Sequence, residues 1–242
     1  MLEVVDIYIL SVVVLYSGIV LLTYEGYSQA VENWLVLVTH VFAIPMIYIL
    51  RNTAWIFSTV IIGLGCSVAY HTSIVFDIGQ EYTGPLDISF STLTLILVTV
   101  LVLFEEFPEW MLPVLLFAVL LLGVFWNDQM VADIIGGVTI LCQLIFVIKR
   151  TFDYFFRKAD SKRDILFLYI SLILGGGGVV AFLTDGKHSD EHYAIIHSIW
   201  HTCAYVAMYF GLRSIRRSDI TDMRVPRVVF NNRISLGKIA YH

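Results

Sequence analysis

Apolar residues fill this chain in long runs broken by short polar stretches. Eight apolar segments can be read, at roughly 5–23, 33–50, 54–76, 85–104, 111–126, 130–149, 163–183 and 193–212. Most approach the ~20 residues a helix needs to cross the hydrocarbon core of a bilayer. In lipid the backbone must satisfy its own hydrogen bonds, so runs of this length predict helices rather than strands. The connections are short, which predicts one bundle and not two domains. Pro85 opens the fourth segment and suits a first helical turn. Pro108 and Pro113 punctuate the turn between the fourth and fifth. The expected fold class is therefore an all-α, polytopic membrane helical bundle.

Composition agrees. Of 242 residues, 58% are hydrophobic and only 14% are charged, against about 25% charged in a typical soluble domain. Cys66, Cys142 and Cys203 fall inside apolar segments without close pairing, so neither a disulfide framework nor a thiolate zinc knuckle is indicated. Nothing resembles a nucleic-acid-binding module, and no nucleic-acid partner is expected.

The charges are informative through their placement. Fourteen of the 15 Lys and Arg residues, from Arg51 through the 149–163 stretch to the tail after Arg213, lie on or next to one side of the predicted bundle. The other side carries Lys187 among Glu25, Glu32, Asp77, Glu81, Asp128, Asp185, Asp190 and Glu191. By the positive-inside rule the basic side is cytosolic. The tail, with seven Lys or Arg against two Asp, reads first as a topology determinant and second as a contact for anionic lipid. "GYSQA" at 26–30 ends like a signal-peptidase site. The first segment is nevertheless long for a signal peptide, and the N-terminal region has Glu3 and Asp6 with no basic residue, so an uncleaved helix is expected.

Against this background a few polar residues stand out. "YAIIHSIWHTCAY" at 193–205 places His197 and His201 four apart in an apolar segment, and "GCSVAYH" at 65–71 places Ser67 and His71 four apart in another. Residues four apart share a helix face. "GPLDISFS" carries Asp87 near the start of the fourth segment. Ionisable groups inside a membrane are costly and mark function. Counted at 1.5 Å per residue, His71, Asp87, His197 and His201 all fall within roughly 3–12 Å of the outer boundary. Three imidazoles meeting in an apolar bundle need something to organise them. A zinc ion held by His71, His197 and His201, with one position open to water, does so. Asp87 then serves as proton acceptor or as an outer hydrogen-bonding partner, and Ser67 as a supporting hydroxyl.

Ser67-x-x-x-His71, Asp87 and His197-x-x-x-His201 together resemble the CREST superfamily, which groups alkaline ceramidases, adiponectin-receptor-like proteins, the transmembrane protein 8 family and myomaker. The resemblance covers 33 to about 212. Within it the chain looks closest to the transmembrane protein 8 and myomaker branch, through "IHSIWH" at 196–201, "FAIPMIYILRN" at 42–52 and the 16-residue step from His71 to Asp87. It departs from that branch in having Thr72 and Ser73 after His71, where the branch usually has Ala-Cys. No cysteine follows Cys203, whereas vertebrate myomaker has a cysteine-rich tail.

The resemblance implies a seven-helix core over 33–212 with zinc on three histidines. Here that core is preceded by an extra helix and outer loop over 1–32 and followed by a basic cytosolic tail over 213–242. For function it implies a myomaker-like plasma-membrane protein promoting cell–cell fusion, of the kind that joins muscle precursors. The alternative is a zinc-dependent lipid hydrolase acting on a ceramide, a phospholipid or a GPI-type lipid. Expected partners are membrane lipids, a second copy of the chain and a partner fusion protein. A receptor role is disfavoured, because the basic side and the histidine layer fall on opposite faces.

The remaining features read more plainly. "LGGGGVV" at 174–180 permits close helix approach. Asp133 reads as an interfacial residue. His40 has no partner at helical spacing and reads as locally bonded, while His188 and His192 read as solvated loop residues. The aromatic run in "TFDYFFRK" reads as an interfacial belt.

Overall fold

The computed structural model describes residues 29–51, 54–104, 165–184 and 192–214, with isolated positions between 117 and 152. The first apolar segment, nearly all of the fifth, much of the sixth, Asp133, His188, Cys142 and the tail beyond Ser214 lie outside the described residues. Within them, all regular structure is helical.

The first described helix, α1, spans Gln29–Thr39 and passes into a 3-10 turn, His40–Ala43, before resuming as α2, Ile44–Leu50. The interruption has local causes. The Thr39 hydroxyl donates to the Val36 carbonyl at 2.6 Å, a back-bond that competes with the helical ladder. Pro45 then enters the first turn of α2, where its missing N–H costs nothing.

Helix α3 spans Ala54–Phe76, as its apolar run predicts. It stops because Asp77 adopts a left-handed conformation, φ 54°. The Ile78 N–H donates to Ser73 at 2.9 Å and the Asp77 N–H to Ile74 at 3.3 Å, the pair of bonds that makes a Schellman ending. Gly79, φ 67°, completes the reversal.

Helix α4 spans Gln80–Phe104 and begins five residues before the expected start. Pro85 is thus inside the helix rather than in its first turn. The added turn is held from outside the sequence pattern. The Tyr82 N–H donates to the Gly79 carbonyl at 3.1 Å, and the Thr83 and Ser73 hydroxyls bond at 2.9 Å. Helices α5, Ile165–Thr184, and α6, Tyr193–Arg213, match their segments closely.

Helix α6 is the centre of the bundle. It packs against α1, the 3-10 turn, α2, α4 and α5, while α3 packs along α4. The core it organises includes Met46, Leu50, Ile56, Val60, Val206 and Phe210, all almost fully buried. Helix α5 approaches α6 closely at Gly178, where an added Cβ would lie 3.1 Å from the Cys203 Cβ and 3.3 Å from the Trp200 ring. Cβ atoms at Gly176 and Gly177 would meet nothing within 4 Å. Of these three glycines, Gly178 therefore carries the close approach between helices. The Ser171 hydroxyl adds a bond to the Ala207 carbonyl at 2.7 Å.

Among the described residues, two helical stretches, Ile56–Phe76 and Ile165–Thr184, are long and apolar enough to cross a membrane, and 33% of each is buried. A core helix of a soluble protein hides most of its surface. Here Ile62, Ile173 and Val180 point outward and stay exposed. These helices are apolar on both their inner and outer faces, the pattern of an element whose surroundings are themselves apolar.

Candidate metal centre

The polar residues singled out in the sequence converge. His71 comes from α3, Asp87 from α4, and His197 and His201 from α6. Ser67, His71, Asp87, His197 and His201 are all at least nine-tenths buried. Asp87 is the eighth residue of α4 rather than a first-turn residue, because the helix begins at Gln80. It remains level with the histidines, since α3 and α6 also carry theirs one to two turns from the same end.

The histidine rings form a compact group. Centroids are 5.1 Å apart for His71 and His197, 4.9 Å for His71 and His201, and 4.8 Å for His197 and His201. The Nε2 atoms of His197 and His201 are separated by 3.0 Å. In that hydrogen bond one ring carries the proton and the other accepts it. Helix geometry extends the face to aromatic neighbours on both sides. Tyr193 stacks on His197 at 4.9 Å, and Tyr205 meets His201 edge-on at 5.7 Å.

One member was missing from the sequence reading. His40, at the start of the 3-10 turn, lies 4.8 Å from His201 and 5.5 Å from His71 between ring centroids. It is locally bonded, as expected, through Nδ1 to the Leu37 carbonyl at 3.0 Å. It also has a distant partner, because its Nε2 meets the Ser67 Oγ at 3.0 Å. A carbonyl only accepts, so Nδ1 carries the ring proton. Nε2 is then the acceptor in the neutral ring, and Ser67 donates to it. Spacing within one segment gave no sign of this, because Ser67, His71 and His201 lie on other helices. His192, read as solvated, is half-buried at the N-cap of α6.

Asp87 accepts from the Ser91 hydroxyl at 2.8 Å, one turn further along α4, and also comes within reach of Ser67. The Tyr205 hydroxyl reaches Ser67 as well. Ser67 therefore sits where α1, α3, α4 and α6 meet, between the carboxylate and the imidazoles. Asp87 is the one carboxylate among the described buried residues.

This donor set suits a metal ion. The ligand atoms of His40, His71 and His201 all lie within 4.8 Å of one another. Nitrogens around a tetrahedral zinc with bonds of ~2.0–2.1 Å are about 3.3 Å apart. The 3.0 Å pair of His197 and His201 is close to such a spacing. The trio gathered here has His40 where the sequence predicts His197, and His197 adjoins it through His201. Imidazole is a favoured ligand for zinc and neighbouring dications. The Nδ1–H bond of His40 to a backbone carbonyl is the outer contact that orients metal-binding histidines.

No curated protein and no solved structure matches the chain. A family model described as a protein of unknown function, DUF3522, matches residues 28–202. The matched span is well over half of the chain and contains His40, Ser67, His71, Asp87, His197 and His201. The chain belongs to the DUF3522 family.

Proposed function

We propose that this chain is an integral plasma-membrane protein of the myomaker type, promoting cell–cell fusion through a helical bundle braced by zinc. In this reading both termini are cytosolic and the histidine layer faces the outer leaflet. The observation that carries the bracing role is the convergence of four buried histidines from α3, α6 and the 3-10 turn. One ion there ties together elements otherwise joined by apolar contacts, which have little driving force between helices in lipid. The fusion role rests on the resemblance of "IHSIWH" and the Ser67, His71 and Asp87 pattern to the myomaker branch of the CREST superfamily. Membrane lipids, a second copy of the chain and a partner fusion protein are the partners this reading requires.

A second reading, a zinc-dependent lipid hydrolase, is favoured by the buried pair Asp87 and Ser67 beside the imidazoles. Bound zinc supplies Lewis acidity. Asp87 would take a proton from an attacking water, and Ser67 would orient a lipid carbonyl.

The two readings separate in cells expressing wild type or His201→Ala. A cell-mixing assay scores fusion, while lipid profiling of the same cells scores hydrolysis. Fusion that depends on His201 without a changed lipid supports the first. A lipid product that disappears with His201 supports the second and overturns the first.

A further inference from the structure

The sequence predicts a zinc site of three histidines, whereas the bundle brings four together. We propose that His40 is a fourth metal ligand, closing the coordination sphere of His71, His197 and His201 so that no position remains for water or substrate. This deepens the bracing role above and rests on metal binding there.

The tautomer of His40 is the first support. With Nδ1–H held by the Leu37 carbonyl, Nε2 carries the lone pair of the ring, and the ligand atom of His40 lies within 4.8 Å of those of His71 and His201. The second support is the backbone. A 3-10 turn begins at His40 itself, and such interruptions inside helices often mark functional positions. The third is charge. Four neutral imidazoles leave a dication uncompensated, and Asp87 is the buried carboxylate available nearby. Ser67 links the two. Its proton occupies the lone pair of His40 that an ion would use. On metal binding that hydroxyl turns from His40 to donate to Asp87, which it already approaches. A sphere of four protein ligands is the mark of a structural zinc site, whereas catalytic sites keep one position open.

The test uses the purified full-length chain, stripped of metal and loaded with cobalt(II), whose visible absorption reports its ligands. Azide is the probe for an exchangeable position. Wild type should take one cobalt per chain, with a spectrum that azide does not change. His40→Ala should still bind cobalt, about 10- to 100-fold more weakly, and its spectrum should shift with azide. Ser67→Ala, which leaves His40 in place, covers the case in which His40→Ala misfolds. The Ser67 hydroxyl is bonded both before and after metal binding, so this variant should bind cobalt within about 3-fold of wild type, with a spectrum that azide still does not change. An azide-induced shift in wild type or in Ser67→Ala overturns the fourth ligand while leaving a three-histidine site standing. Wild type that takes up no cobalt overturns both the fourth ligand and the brace. Fusion is not read in this experiment, so failure of the fusion role leaves its outcome distinct.

Discussion

The Nε2 atoms of His197 and His201 face each other at 3.0 Å across one turn of α6. Two buried imidazoles at this distance share one proton between them or give both lone pairs to a common ion. The first arrangement leaves the other two rings of the cluster to find partners elsewhere. The second uses all of them at once.

Metal content follows from that pair. Purified protein is expected to carry close to one zinc per chain by elemental analysis, and His197→Ala to retain less of it. Wild type without metal, even after zinc is added back, would remove the site.

The buried carboxylate separates bracing from catalysis. Asp87→Asn is nearly isosteric and keeps the Ser91 hydroxyl as a neighbour. As a brace, the site should retain zinc and fusion in this variant, while His201→Ala should impair folding or surface expression. As a hydrolase, Asp87→Asn should keep zinc but lower turnover by about 10²–10⁴-fold, the usual size of a general-base contribution. Retained fusion with unchanged lipids is the expected outcome.

Orientation is tested separately. In the proposed orientation the basic segments face the cytosol, so an epitope after His242 should stain only in permeabilised cells. Staining of intact cells would invert the topology and move the histidine layer to the inner leaflet.

Helix packing gives a stability prediction that does not involve metal. Gly178→Ala places a methyl 3.1 Å from the Cys203 Cβ and against Trp200, and should cost about 1–3 kcal/mol through overpacking. Gly177→Ala meets open space and should be neutral or stabilising by up to about 1 kcal/mol. Thermal unfolding in detergent should therefore lower the midpoint for the first and not the second. Equal midpoints would mean that α5 and α6 are not in contact at Gly178.

The sequence by itself determined most of the described helices and most of the polar layer. Apolar runs set α3, α5 and α6 almost to the residue, since length and hydrophobicity are local properties. Spacing of four, with depth counted from segment ends, joined Ser67, His71, Asp87, His197 and His201. His40, seven residues into its segment or about 10 Å deep, has no partner at helical spacing, so spacing alone does not join it to that layer. Only the tertiary structure decided that His40 meets Ser67 and His201, that Pro85 lies inside a helix extended by the Ser73 and Thr83 contact, and that Gly178 alone among the glycines 176–178 packs on α6. Each of these depends on which faces of different helices meet. Periodicity along one helix orients its faces, but the pairing of those faces is fixed only when the whole bundle packs.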